Sequence, residues 1–163
     1  LIATLSKVLQ FDKVAYYTFH LEGRAKNEFR DFIDRAKISD NNQLAELSRF
    51  IQNIGQKYGA EEAHFKKEDN ADRLPPPYYH HISTKGLKDY GLRLYCIRLT
   101  TKIVILLNGD HKKAQKVQDC PNCKKHFMMA KKIAKVIDTA IRDKNIELVG
   151  FDILLEDDFE IEL

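Results

Sequence analysis

The sequence predicts an α+β fold: a helical hairpin packed on a small, mostly antiparallel sheet, followed by a C-terminal helix and strand extension. Two observations carry this. Apolar residues recur with the helical period in two neighbouring stretches before residue 60 and in one long stretch after residue 120. Runs rich in β-branched and aromatic residues surround them, in the order strand, two helices, hairpin strands, helix, strand. A chain of 163 residues, 44% apolar and without an internal repeat, suits one domain able to bury a core without disulfide staples.

The first apolar run, Val14 to Leu21, is a strand, with an earlier partner at Thr4–Gln10, and Gly23 breaks it. Phe29, Phe32, Ile33 and Ala36 then fall at i, i+3, i+4 and i+7, with Arg30, Asp31, Asp34 and Arg35 between them, an amphipathic helix over roughly 25–37. Ser39-Asp40-Asn41-Asn42 supplies cap formers, and Gln43 stands three residues after Asp40 in a capping-box arrangement. Leu44, Leu47, Ile51 and Ile54 make a second helix ending near Tyr58-Gly59, antiparallel to the first. Residues 60–84, with Pro75-Pro76-Pro77, read as an extended connector at a sheet edge. Gly91–Leu99 and Lys102–Leu107 form an antiparallel hairpin about Thr100-Thr101, ended by Asn108-Gly109-Asp110. A helix from about Pro121 to Lys144 carries the stripe Phe127, Ala130, Ile133, Ala134, Ile137 and Ile141, and Ile146–Leu155 is a last strand before an acidic end.

No stretch approaches the roughly 20 apolar residues that span a bilayer, and no secretory signal is visible at the N-terminus. Three cysteines, Cys96, Cys120 and Cys123, suit a reducing cytoplasm better than a disulfide framework. The net charge of +3 hides a partition. Residues 1–84 are balanced, residues 85–135 carry 13 Lys/Arg against 3 Asp/Glu, and residues 136–163 carry 2 against 9. A +10 block is the electrostatic footprint of a chain that meets polyanions. The adjoining acidic tail is expected to bind that block weakly.

Alternation along the first hairpin strand puts Leu92, Leu94 and Cys96 on one face and Arg93, Tyr95 and Ile97 on the other. With the helices over the leucine face, Arg93 and Tyr95 would stand open, near Lys85 and Lys88 upstream and His111, Lys112 and Lys113 beyond the partner strand. Arg98 falls on the leucine face. Arginine and lysine hold phosphate, and histidine moves protons near neutral pH.

Tyr90-Gly91-Leu92-Arg93-Leu94-Tyr95, the Lys-Ile-Val-Ile-Leu-Leu strand and the basic Asn-Gly-Asp-His-Lys-Lys end resemble the RelE/ParE toxin superfamily, in its RelE- and HigB-like, phage-related branch. The resemblance covers roughly residues 14–141. It implies a RelE-like toxin domain over 1–145 with an acidic C-terminal extension over 146–163. The implied protein is a cytoplasmic toxin of a toxin–antitoxin system, an mRNA endoribonuclease acting on translated mRNA at the ribosome and restrained by a helix-turn-helix antitoxin. In such a toxin the ribose 2′-OH attacks the adjacent phosphate without metal or cofactor. By the same resemblance Arg93, His111 and Lys113 are the catalytic candidates. Lys85, Lys88, Tyr95, Lys112 and His126 are the RNA-binding ones, and His126 also stands where a final catalytic residue is otherwise missing. The alternative is a catalytically silent or gyrase-directed, ParE-like binding protein on the same fold. The long connector at 60–84, the segment 146–163 and the total length depart from the compact family members.

Cys120-Pro121-Asn122-Cys123 with His126 offers half of a zinc site or a redox dithiol, but no second Cys/His pair completes a tetrahedron. Structural cysteines are the leading reading. Tyr78-Tyr79-His80-His81 reads as an edge segment.

Overall fold

A computed structural model describes residues 1–76, 91–112 and 120–163. Strands β1 (Ile2–Gln10) and β2 (Ala15–Leu21) form an antiparallel pair, and β2 is buried at every position but His20. Helix α1 (Glu28–Ser39) starts at Asn27, whose side chain accepts from the Arg30 N–H at 2.7 Å. Helix α2 (Asn41–Asn53) starts at Asp40, whose carboxylate accepts from the Gln43 N–H at 3.0 Å. Gln43 does not reach back to complete the capping box. Its Oε1 instead accepts from the buried Leu92 N–H at 2.7 Å, so the start of α2 satisfies a strand end. A π turn (Ile54–Tyr58) and a short 3₁₀ turn (Glu62–His64) follow.

The connector expected over 60–84 holds a hairpin of its own, β3 (Lys66–Glu68) and β4 (Ala71–Leu74), closed by Asp69-Asn70 with Asp69 at φ 57°. Its strands carry too many charges to show an apolar alternation. Strand β5 (Gly91–Arg98) pairs with β4 and with β6 (Ile103–Lys112), which runs five residues past the end expected at Leu107. Helix α3 (Pro121–Arg142) has proline in its first turn. The strand expected at 146–155 is a hairpin, β7 (Ile146–Val149) and β8 (Asp152–Leu155), turned about Gly150 at φ 59°, and β9 (Ile161–Glu162) closes the chain.

The fold is α+β, with three helices among the described residues. Its main sheet runs β3-β4-β5-β6-β2-β1-β9 and is antiparallel throughout except for β2 beside β6. The α1–α2 hairpin covers one face, on Tyr16, Leu92, Leu94, Cys96, Val104 and Leu106. The opposite face, expected open, is covered by α3 and the β7–β8 hairpin, on Tyr17, Phe19, Tyr95, Ile97, Ile105 and Leu107. The apolar stripe of α3 had to be buried somewhere, and only this face was left. Glu160 and Glu162 of the acidic tail line a pocket with Lys135 of α3, but among the described residues no ion pair joins the lysines of that helix to the tail. Among the described residues its carboxylates reach the N-terminal strand instead, Asp152 to Lys7 at 3.0 Å and Glu162 to the amino group of Leu1 at 3.9 Å.

Between the pairs Leu94–Gly109 and Cys96–Leu106, β6 has one residue more than β5, a bulge that turns Asn108 toward α1. At Gly109 the two backbones are so close that a Cβ would stand 1.7 Å from the Arg93 carbonyl oxygen. Gly109→Ala is therefore expected to lower stability by about 3 kcal/mol, through a forced separation of β5 and β6. Gly23→Ala, at φ 82° with open space around it, should lose about 1 kcal/mol. Urea midpoints of the two variants check the ranking, and equal losses would contradict the close approach.

Candidate functional site

The structure does not assemble the catalytic candidates named from sequence on one open face. Arg93 is 2% exposed, beneath α3, with its guanidinium 3.6 Å from Glu68 Oε1. Arg73 holds the same oxygen at 2.9 Å and donates to the Pro75 carbonyl. Tyr95 is fully buried, its ring 5.6 Å from that of Phe127 on α3. His111 lies opposite Leu92, so it faces α1 and α2, where Nε2 is 3.4 Å from Asp40 Oδ2. Arg93 and His111 thus point to opposite sides of the sheet. Lys112 is buried at the end of β6, opposite Gly91. Arg98, at the end of β5, donates to the Ala60 carbonyl on the α1–α2 side. Lys85, Lys88, Lys113 and Tyr78-Tyr79-His80-His81 lie outside the described residues.

His126 leads to a different place. Strands β2 and β6 pair in parallel over only three positions, Ala15–Ile103, Tyr16–Val104 and Tyr17–Ile105, and then part. The chain leaves β2 for α1 on one face, while α3, which follows β6, covers the other. Neighbouring parallel strands whose continuations go to opposite faces open a crevice at their C-terminal ends, the usual place for a ligand in a sheet with helices on both sides. Here a cleft of about 220 Å³ opens there. Glu28, Asp31 and Arg35 of α1, Asn108 of β6, and Lys125, His126 and Met129 of α3 line it, with Leu21 and Arg24 at the end of β2.

Asn108 is the hub of the cleft floor. Its Nδ2 donates to Glu28 Oε2 at 3.2 Å and to Asp31 Oδ2 at 2.9 Å, and its Oδ1 accepts from Arg35 Nη1 at 3.1 Å and from the Gly109 N–H at 2.9 Å. Every hydrogen-bonding position of this 3% exposed amide is engaged. Arg35 also donates to the Gly109 carbonyl at 2.6 Å and pairs with Asp31, which lashes α1 to the bulge of β6.

Glu28, Asp31 and His126 are displaced from their ordinary ranges in this setting. Burial raises the Glu28 carboxyl, against the opposing hydrogen bond from Asn108. Desolvation works to raise Asp31, but the Asn108 hydrogen bond and the surrounding positive charges, Arg35 foremost, bring it below its ordinary value. Burial, helped by Arg35 and Lys125, pushes the His126 imidazole down to about 4. His126 is therefore neutral at physiological pH, and its buried Nε2 has no hydrogen-bond partner among the described residues. A neutral imidazole with a vacant nitrogen, a carboxyl whose hold on a proton is strengthened by burial, and cations at the rim are the parts of acid–base chemistry on an anion.

Glu28, Asp31, Arg35 and Asn108 are not among the site residues expected from sequence, where Asp31 and Arg35 belong to the polar face of an amphipathic helix and Glu28 has no assigned role. The signal available is Asn108-Gly109 interrupting an apolar strand, a pattern that by itself reads as the strand's end. Cys120 and Cys123 pack the start of α3 onto the end of β6, with sulfurs 3.9 Å from the His111 carbonyl and 3.8 Å from that of Asp110. Burial and the neighbouring thiol push Cys123 up to about 12, the behaviour of a structural cysteine. Among the described residues no group of three or more His, Cys, Asp or Glu side chains is placed to hold a metal ion, and no helix is long and apolar enough to cross a membrane.

The displaced imidazole has a consequence for stability. Between about 4 and its ordinary 6.5, the unfolded chain binds a proton at His126 that the folded chain refuses. Stability on this account is complete above pH 6.5 and falls by about 3 kcal/mol as pH drops to 4. The raised Glu28 works in the opposite sense, since the folded chain binds its proton more tightly than the unfolded one. Denaturant unfolding of wild type and His126→Gln from pH 7 to pH 4 isolates the histidine: the wild type should lose about 3 kcal/mol relative to the variant. Parallel curves would contradict the assignment.

In comparisons with known proteins, no protein-family model matches the chain, and neither a curated protein nor a solved structure shows significant similarity to it.

Proposed function

We propose that this chain is a RelE/HigB-like toxin, an mRNA endoribonuclease that works by side-chain acid–base chemistry, and that its reacting phosphate sits at the mouth of the cleft between β2 and β6. The observation that carries the reading is His126: a neutral imidazole, unpartnered at Nε2, in a cleft rimmed by Arg24 and Lys125. Cleavage of RNA without metal needs a base for the 2′-OH proton, cations for the charge that gathers on the phosphorus oxygens, and an acid for the leaving 5′-oxygen. His126 is the base, Lys125 and Arg24 are the cations, and Glu28 is the acid. The need for a 2′-OH restricts the substrate to RNA. The order of strand, helical hairpin and antiparallel strands supports the same family reading, with translated mRNA as substrate, the cytoplasm as compartment and a helix-turn-helix antitoxin as restraining partner.

One observation favours the second reading, a binding protein without catalysis on this fold. Arg93, the arginine that the resemblance marks as catalytic, is enclosed under α3 against Glu68. The two readings separate on induced expression, with growth and mRNA 5′ ends measured together. The nuclease reading expects arrest and new 5′ ends in the wild type. It expects cleavage to fall by about 100-fold or more in His126→Ala, the size of effect seen when a general base is removed. Arg93→Ala should act through stability, with cleavage per folded molecule unchanged. Arrest without new 5′ ends, unaffected by His126→Ala, would favour the binding reading, and the absence of arrest would point to a silent member.

A further inference from the structure

The cleft accounts for one end of α3, but most of the basic block lies farther along the helix. At 100° per residue, Lys124, Lys131 and Lys135 fall within about 40° of one another on the side turned away from the sheet. Lys124, Lys132 and Lys135 are exposed, and Lys131 lies over the Phe127 ring at 5.2 Å while pairing with Asp69 at 3.1 Å. Lys124 stands about 160° around the helix from His126, and Lys125, which lines the cleft, and the exposed Lys132 span the back of the helix between the cleft and this ridge. On the ridge's other side, toward Ala134, Ile137 and Ile141, a second groove of about 550 Å³ opens between α3, the end of β5 and β7. Lys67, Arg98 and Lys135 edge that groove, and Ile97, Leu99 and Ile141 form its floor. From His126 to Lys135 the path covers roughly 14 Å of helix axis.

We propose that single-stranded RNA held in the cleft continues across the lysine ridge of α3 and places a flanking nucleotide in this groove. The proposal rests on the reading of the cleft as an RNA site and names the rest of the footprint. Cations along the ridge track the backbone phosphates, and the apolar floor receives a base without selecting its identity. Asp69, Glu62 and Asp72 each already pair with a cation of this surface, and Asp138 pairs with Arg142. Glu160 and Glu162 also line a pocket with Lys135, but Lys125 and Lys132 keep the back of the helix basic between cleft and groove, and that continuity favours one running strand over a separate acidic peptide.

The test reads binding alone, so it is independent of whether the cleft cleaves. Affinity for a 2′-O-methyl octaribonucleotide, which lacks the attacking hydroxyl, is measured by fluorescence anisotropy against salt concentration. Three proteins are compared: wild type, the ridge variant Lys124→Gln/Lys131→Gln/Lys135→Gln, and a control of equal charge change, Lys13→Gln/Lys37→Gln/Lys57→Gln, whose sites are exposed elsewhere. The slope of log affinity against log salt should fall by about 2 in the ridge variant, at about 0.7 per lost phosphate contact, and stay near the wild-type value in the control. The single variants Lys124→Gln and Lys135→Gln, at solvent-facing positions that leave the fold intact, should each lose about 0.7. Equal slopes in ridge and control proteins, no binding by the wild type, or full displacement of the oligonucleotide by polyglutamate at equal charge would overturn the ridge. An intact salt slope together with loss of cleavage in His126→Ala would retain the cleft and reject the ridge alone.

Discussion

Three backbone pairings between β2 and β6 join the two halves of the sheet, and the rest of the structure is arranged around where they stop. On one side lies the β3–β6 meander, and on the other the β1–β2 pair with β9. Because the two joined strands run parallel, both C-terminal ends reach the same edge, and the helices beyond them lie on opposite faces. The sheet is buried on both sides as a result, which is why β2 and β5 are buried at nearly every position where a one-sided sheet would alternate. Where the pairing ends, α1 and α3 approach each other through the gap, and the side chains that meet there are polar.

Those polar side chains are a costly way to fill an interior. Apolar residues of similar volume would often serve stability as well or better than buried charge. The network is closed only because the β6 bulge presents Asn108 to two carboxylates and one guanidinium at once, with Gly109 allowing the strands to touch behind it. His126 faces this network from α3 and remains neutral because burial and two nearby cations all disfavour its charged form. A group left with an open hydrogen-bonding position at a cleft, beside a satisfied network, is what a binding or reacting site requires.

The helices and their caps were legible because each rests on local signals. Asn27 and Asp40 precede their helices, and Phe32, Ala36, Leu47 and Ile51 keep the helical period. The face assignment of β5 was legible for the same reason, down to Leu92, Leu94 and Cys96 beneath the helical hairpin. What alternation could not tell is whether the other face stays open, since that depends on where α3, some 25 residues later in the chain, returns to pack. The site was harder still. Its floor joins Glu28 to Asn108 and Arg35 to Gly109, pairs separated by 80 and 74 residues, and no local pattern encodes such a meeting. His126 was visible as a candidate, but its role depends on the parallel pairing of β2 with β6, which only the assembled sheet reveals.

The central claim is that His126 is a neutral base facing RNA in the split between β2 and β6. The most direct measurement is the imidazole nitrogen resonance of His126, assigned against His126→Gln and followed with pH and with an added 2′-O-methyl dinucleotide. The account predicts titration near 4 in the free protein, a neutral ring at pH 6.5, and a shift of the Nε2 resonance when the dinucleotide binds. Titration near the ordinary 6.5, with a ring that does not respond to the dinucleotide, would contradict it.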